Sequence, residues 1–148
     1  MQITKAGEYG VLGLLNLARR GAGAVVMVDE VSREEAIPAS FLRKIFQTLV
    51  RAGLLRSVRG AKGGFSMDRP ADTITVLEVI EAIEGPIALQ PCLDEPDDCA
   101  YLRGCALCGL WGEAQEGLRA VLGRRTLAEL ARRQPPRVRL GRPADTPV

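Results

Sequence analysis

Apolar positions recur at helical spacing through most of this chain, and glycine or proline punctuates each run. Tyr9, Leu12 and Leu15 fall on one stripe with Leu14 and Ala18 beside them, which predicts a helix over residues 5–20. Gly21-Ala22-Gly23 stops it. Residues 24–28 form a short β-prone run, followed by a brief helix over about residues 29–36. Pro38 stands where a first helical turn tolerates proline, and the next helix runs to about Ala52, with Gly53 as its stop. Leu42, Ile45, Phe46 and Leu49 are spaced i, i+3, i+4, i+7, so this face should point into the core.

The opposite face of that helix carries Ser40, Arg43, Lys44, Gln47 and Arg51. Each can hydrogen-bond to a phosphate or a base edge, and none is acidic. A hairpin should follow over residues 54–67, with strands at Leu54 to Val58 and from Phe65. Its tip, Arg59-Gly60-Ala61-Lys62-Gly63-Gly64, holds two cations and three glycines. Short helix, turn, basic-faced helix and basic hairpin is the order of a winged helix-turn-helix. There the second helix enters the major groove and the wing tip reaches the adjacent backbone or minor groove. A glycine-rich tip on its own would be only a tight turn; it carries weight because it follows such a helix.

Thr75-Val76-Leu77-Glu78 reads as a capping box opening a helix to Glu84, with Val76, Val79, Ile80 and Ile83 inward. Gly85-Pro86 breaks it, and residues 86–104 read as a loop rich in Pro, Asp and Cys. A longer helix runs from Ala106 to about Leu122, with Leu107, Leu110, Trp111, Ala114, Leu118, Val121 and Leu122 in one apolar seam. A lone striped helix outside a DNA-binding unit is more economically a dimerisation helix than a core helix, since a two-fold protein also matches a palindromic site. From Gln134 the tail has four prolines and scattered arginines and is expected to be disordered.

Charge sharpens this pattern. The net charge of +2 over 148 residues conceals separate blocks. Residues 40–69 hold seven basic residues against one acidic, a net of +6, whereas residues 70–100 hold eight acidic and no basic residues, a net of −8. A charge run alone fits a solvated helix face as well as it fits DNA; its coincidence with the helix and wing favours a phosphate backbone. The absence of histidine removes His-based acid–base and nucleophilic chemistry and His metal ligands. With no nucleophile elbow and no Walker-type phosphate loop either, an enzyme is not expected. The longest apolar stretch, from Gly10 to Ala18, is too short to span a bilayer, and its flanks lack a signal-peptide cleavage site, which predicts a cytoplasmic protein.

The four cysteines fall within seventeen residues, as Cys92-x6-Cys99-x5-Cys105-x2-Cys108. In a cytoplasmic chain such a cluster points to metal or redox chemistry before disulfides. Buried thiols would not normally sit between Asp94, Glu95, Asp97 and Asp98. Zinc prefers paired two-residue knuckles, and only Cys105-x2-Cys108 qualifies. Widely spaced thiolates leading into a helix suit an iron–sulfur cluster better.

Taken together, the chain resembles the IscR/NsrR-type winged-helix transcription regulators, also called the Rrf-two type, over residues 1–133. The resemblance rests on the start Met1-Gln2-Ile3-Thr4-Lys5-Ala6-Gly7-Glu8-Tyr9 and on the helix Ser40-Phe41-Leu42-Arg43-Lys44-Ile45-Phe46. It extends through the wing, residues 57–65, to the cysteine loop ending in Cys105, with Leu110-Trp111 after it. It implies a homodimeric DNA-binding regulator, acting as a repressor on a palindromic operator, that senses nitric oxide, redox state or iron–sulfur status. Cys92, Cys99 and Cys105 would hold an iron–sulfur cluster, of the 2Fe-2S or 4Fe-4S kind. Two fourth ligands are open: Cys108, at the place of the IscR-type histidine, and Glu8 of the partner subunit, at the place of an aspartate in nitric-oxide-sensing members. DNA contacts would come from Ser40, Arg43, Lys44 and Gln47, and from Arg59, Gly60 and Lys62 at the wing.

The expected organisation is a mainly α fold with a β-hairpin wing: a winged helix-turn-helix domain over residues 1–84, a cluster-binding loop over 85–105, a dimerisation helix region over 106–133 and a disordered tail over 134–148. Two alternatives remain. One is a winged-helix regulator using a thiol switch or zinc. The other is a small iron–sulfur electron-transfer protein, which would leave the basic helix and wing unused.

Overall fold

The helix predicted first is buried on nearly every side in the computed structural model, which describes residues 2–95 and 104–135. Helix α1 (Lys5–Arg20) starts at Thr4, whose side chain accepts from the Gly7 N–H, and it buries Leu12, Leu14, Leu15 and Leu17. A single apolar stripe suffices for a helix lying on a core; this one is surrounded. Helices α2 (Val28–Glu35), α3 (Ala39–Arg51) and α4 (Val76–Glu84) pack against it. Their inward residues Val31, Leu42, Ile45, Phe46, Leu49 and Val79 complete the core.

Close approach to α1 depends on three glycines at i, i+3, i+6. A Cβ added at Gly7 would stand 2.2 Å from Glu84 Oε1, one at Gly10 2.1 Å from Ile83 Cδ1, and one at Gly13 2.7 Å from Phe46 Cε1. At Gly13 the neighbour is the buried Phe46 ring, which has little room to give, whereas at Gly7 and Gly10 the ends of the Glu84 and Ile83 side chains would have to move. A polar network running from buried Asn16 and Glu35 out to exposed Glu34 and Arg20 ties α1 to α2. Asn16 Nδ2 donates to Glu34 Oε2 at 2.7 Å and to Glu35 Oε1 at 2.9 Å, Arg19 pairs with Glu35, and Arg20 donates to Glu34 Oε1 at 2.8 Å.

Strands β1 (Leu55–Val58) and β2 (Gly64–Met67) form the predicted hairpin, with Leu55 opposite Met67 and Val58 opposite Gly64. The β-prone run before α2 contributes one residue to it: Val26 and Phe65 exchange backbone bonds at 2.9 and 2.8 Å. A 3-10 turn (Ala71–Thr73) leads to α4, where Thr75 and Glu78 make both bonds of the capping box.

Three features depart from the expectations. The segment read as loop contains a helical turn, α5 (Pro91–Asp94), with Pro91 at its first position, where its missing N–H costs nothing. The C-terminal region divides into α6 (Ala106–Gly123) and α7 (Leu127–Arg133), the second opened by Thr126, whose hydroxyl accepts from the Glu129 N–H. Leu127 is fully buried against the α1 core, and a bridge between Thr75 and Thr126 fastens the start of α7 to the start of α4. The apolar seam of α6 also splits. Leu118 and Leu122 pack with Val76, Ile80 and Ile87 in this same chain, while Leu107, Leu110 and Val121 are exposed. Cys99 and residues 136–148 of the tail lie outside the described residues. No helix among the described residues is long and apolar enough to cross a membrane.

Two consequences are measurable. Gly13→Ala gains about 1 kcal/mol of helix propensity but forces a methyl into the buried Phe46 ring, and overpacking of this kind costs about 1–3 kcal/mol. Net destabilisation is expected, as a lowered urea midpoint. The second concerns acid. A hydrogen bond from Asn16, aided by Arg20 and Arg19, outweighs burial and holds the Glu34 carboxyl below its ordinary range. Burial raises the Glu78 carboxyl, but the Thr75 N–H and Arg69 outweigh it and leave it lowered. A carboxyl lowered in the folded state contributes stability above its unfolded value and loses it as pH falls through the folded one. Stability should therefore fall as pH drops below about 5, and Glu78→Gln should flatten that limb in denaturation curves taken across the range.

Candidate nucleic-acid interface and cysteine segment

The amphipathic pattern of α3 divides it cleanly. Leu42, Ile45, Phe46 and Leu49 are buried, and Ser40, Arg43, Lys44, Gln47 and Arg51 are all exposed. The helix is entered from Ala36, a non-glycine residue in the left-handed region (φ 57°), through Ile37 and Pro38. Phe46 fixes its depth and touches the wing as well, since its ring meets Phe65 edge-on at 5.2 Å between centroids. The polar face and the wing root are thus held on one ring.

The wing tip is tight for reasons its glycines supply. Gly63 N donates to Gly60 O at 3.0 Å, Gly60 sits at φ 114°, and a Cβ at Gly63 would lie 2.2 Å from Val58 O. This compact turn leaves Arg59, Gly60, Ala61 and Lys62 exposed. Lys44, Arg59 and Lys62 make no ion pair among the described residues, so their charge is available to an anionic partner. Arg43 differs: its Nη2 stands 3.8 Å from Asp29 Oδ1, at the start of α2. The residues 40–69 alone give no sign of that carboxylate, because it arrives from a different helix.

Three of the four cysteines are described, all half-buried. Cys92 lies in α5; Cys105 is the N-cap of α6 and Cys108 falls in its first turn. Helix α5 packs on α6 around Leu93, 3.9 Å from where a Cβ of Gly112 would be, one turn beyond Cys108. The loop before α5 is pinned from two sides: Leu89 N donates to Gln115 Oε1 at 3.0 Å, and Ile87 N donates to Glu81 Oε1 at 3.2 Å. Arg119 closes the arrangement by pairing with Glu81.

The start of α6 suits thiolates. Its N-cap makes no side-chain bond and its first turn holds no acidic residue. Among the described residues no side chain caps these N–H groups, and with the positive end of the helix dipole they favour negative sulfur. Those donors fit an iron–sulfur cluster, or another thiophilic centre. No group of three metal-binding side chains converges among the described residues; Cys99, the middle member of the set, is not among them. Glu8 sits in the first turn of α1, 2.7 Å from Lys5 Nζ.

Comparison with known proteins points one way. The Rrf2 profile, described as that of an iron-dependent transcriptional regulator, matches residues 3–133. The Rrf2 protein of Nitratidesulfovibrio vulgaris is 31% identical over 132 residues, covering 89% of this chain and 88% of its own length. The HTH-type transcriptional regulator IscR of Xenorhabdus nematophila is 31% identical over 134 residues, covering 90% and 81%. Among solved structures, CymR, the global cysteine regulator of B. subtilis, matches with a TM-score of 0.78 at 26% identity, over 91% of this chain and 99% of that one. These relatives are transcriptional regulators rather than enzymes, and the winged-helix fold is common to them.

Lys62, one of two wing cations without an ion pair among the described residues, yields a direct measurement. If Lys62 meets a phosphate, Lys62→Ala weakens binding of any duplex about equally and lowers the slope of log affinity against log salt by about 1. A titration series from low to moderate salt reads both quantities.

Proposed function

The chain belongs to the Rrf2 family of transcriptional regulators, and from that premise we propose that it is a homodimeric repressor of palindromic operators governed by a cysteine-bound iron–sulfur cluster. The observation that carries this reading is the union, in one polypeptide, of an exposed basic helix and glycine-tipped wing with four cysteines within seventeen residues, of which Cys105 and Cys108 stand at the start of α6. Ser40, Arg43, Lys44 and Gln47 face the major groove, and Arg59, Gly60 and Lys62 meet the flanking backbone or minor groove. The exposed Leu107, Leu110 and Val121 are covered by the same face of a second copy. That symmetry spaces two reading heads along the duplex.

Cys92, Cys99 and Cys105 hold the cluster, with Cys108 or Glu8 of the partner subunit as the fourth ligand. Bound there, a cluster supplies a centre whose charge and ligation respond to nitric oxide, oxygen or iron supply. The chain's own residues carry that response. Gln115 and Glu81 tie the backbone leading into Cys92 to α6 and α4, so a displaced Cys92 pulls on both helices. A thiolate at Cys108 favours a site closed within one chain. A carboxylate from Glu8 is a harder ligand for iron and more easily exchanged, and it would make the subunit contact itself part of the sensor. A second reading keeps the DNA-binding head and lets the same thiols act as a redox switch or hold zinc; likeness to CymR, of which an oxidised form from Staphylococcus aureus is solved, supports the switch.

Purification without oxygen separates these readings. A coloured protein with iron and acid-labile sulfide in matching amounts is expected, and Cys92→Ala or Cys105→Ala should lose both. Glu8→Ala beside Cys108→Ala identifies the fourth ligand by which variant loses the cluster. A colourless protein that still binds duplex would overturn the cluster in favour of the thiol or zinc reading. Failure to retain duplex at low salt would overturn gene control altogether.

A further inference from the structure

Helix α2 carries four carboxylates, and they divide by direction. Glu30, Glu34 and Glu35 all turn toward α1. Glu30 stands 3.9 Å from Arg20, Glu34 meets Asn16 and Arg20, and Glu35 meets Asn16 and Arg19. Asp29 turns the other way, to Arg43 on the exposed face of α3. Both side chains are more than half exposed, at 63% and 54%. A pair so open to solvent adds little to folding stability.

Its consequence lies on the DNA side. A carboxylate beside a phosphate-binding surface repels the backbone and lowers unspecific grip, so a protein needing grip alone would gain by losing it. At 3.8 Å the two groups make an ion pair without a hydrogen bond, which draws the guanidinium toward the start of α2 and leaves its five donors free. Its open edge can give the two parallel bonds that guanine O6 and N7 accept in the major groove. We propose that Asp29 is a positioning residue that aims Arg43 at a guanine, exchanging unspecific affinity for base discrimination. The inference rests on the assignment of α3 as the helix that reads DNA.

The test starts from duplexes enriched out of a randomised library by the wild-type protein. Affinity is then measured for the enriched duplex, for its single-base variants, and for mixed-sequence duplex. Arg43→Ala locates the position that Arg43 reads; guanine is expected there, preferred by about fivefold or more. Asp29→Ala should cut that preference to less than about half while tightening the mixed-sequence duplex and steepening its salt slope by about 1. In the Arg43→Ala background, the same change should leave base preference untouched. Glu30→Gln, which also removes one charge from the first turn of α2, should keep the guanine preference at the wild-type value. A preference unaltered by Asp29→Ala, or a base other than guanine at the Arg43 position, overturns the inference and leaves DNA binding intact. If the wild type enriches no duplex, the DNA-reading assignment itself falls, and this inference with it.

Discussion

How near α3 and α4 can come to α1 sets the rest of the molecule. Gly7, Gly10 and Gly13 present bare backbone to Glu84, Ile83 and Phe46, and no side chain larger than hydrogen fits there without displacement. Phe46 then fixes the depth of α3, and its contact with Phe65 carries the same constraint into the wing. Phe65 exchanges backbone bonds with Val26, just before α2. Helix, wing and turn are thus packed on one another, which suits a reading surface whose side chains must meet base edges within a fraction of an ångström.

The acidic segment has a structural role that its composition conceals. On α4, Glu78, Glu81 and Glu84 recur every three residues, and each holds a different element. Glu78 caps its own helix and takes Arg69 from beyond the wing. Glu81 takes Arg119 from α6 and the backbone of Ile87. Glu84 accepts from the Thr4 amide at 2.8 Å and from the Thr4 hydroxyl at 2.6 Å, at the positive end of α1. One short helix therefore joins the reading head, the backbone leading to Cys92 and the start of α1, where Glu8 lies. The backbone before Cys92 is thus tied to α4, and α4 in turn to α1 and to Arg69 behind the wing.

Local signals in the sequence located most of the elements. Thr75 and Glu78 marked the start of α4, the spacing of Leu42 to Leu49 oriented α3, and Arg59 to Gly64 marked the wing tip. What escaped depends on contacts between distant segments. Thr126 and Glu129 repeat the spacing of Thr75 and Glu78, yet nothing local says that the two caps pair or that Leu127 returns to the α1 core. The glycine period on α1 reads as helix weakness until Phe46 and Ile83 arrive above it. The α6 seam could not be divided by periodicity, because Leu118 and Leu122 differ from Leu107 and Leu110 only in what lies opposite. Nothing local distinguishes Asp29 from any acid in a first helical turn, and its meeting with Arg43 exists only once α2 and α3 are folded together.

In the proposed function the occupant of the cysteine segment governs the grip of α3 and the wing on DNA. The affinity of one enriched duplex, measured without oxygen for the iron-loaded protein and again after its iron is removed, reads that coupling. Coupling between two sites of one regulator is typically about 5–150-fold, so a change of at least about fivefold is expected, in either direction. Equal affinities for the two forms, with iron shown to be present in one and absent from the other, would contradict it.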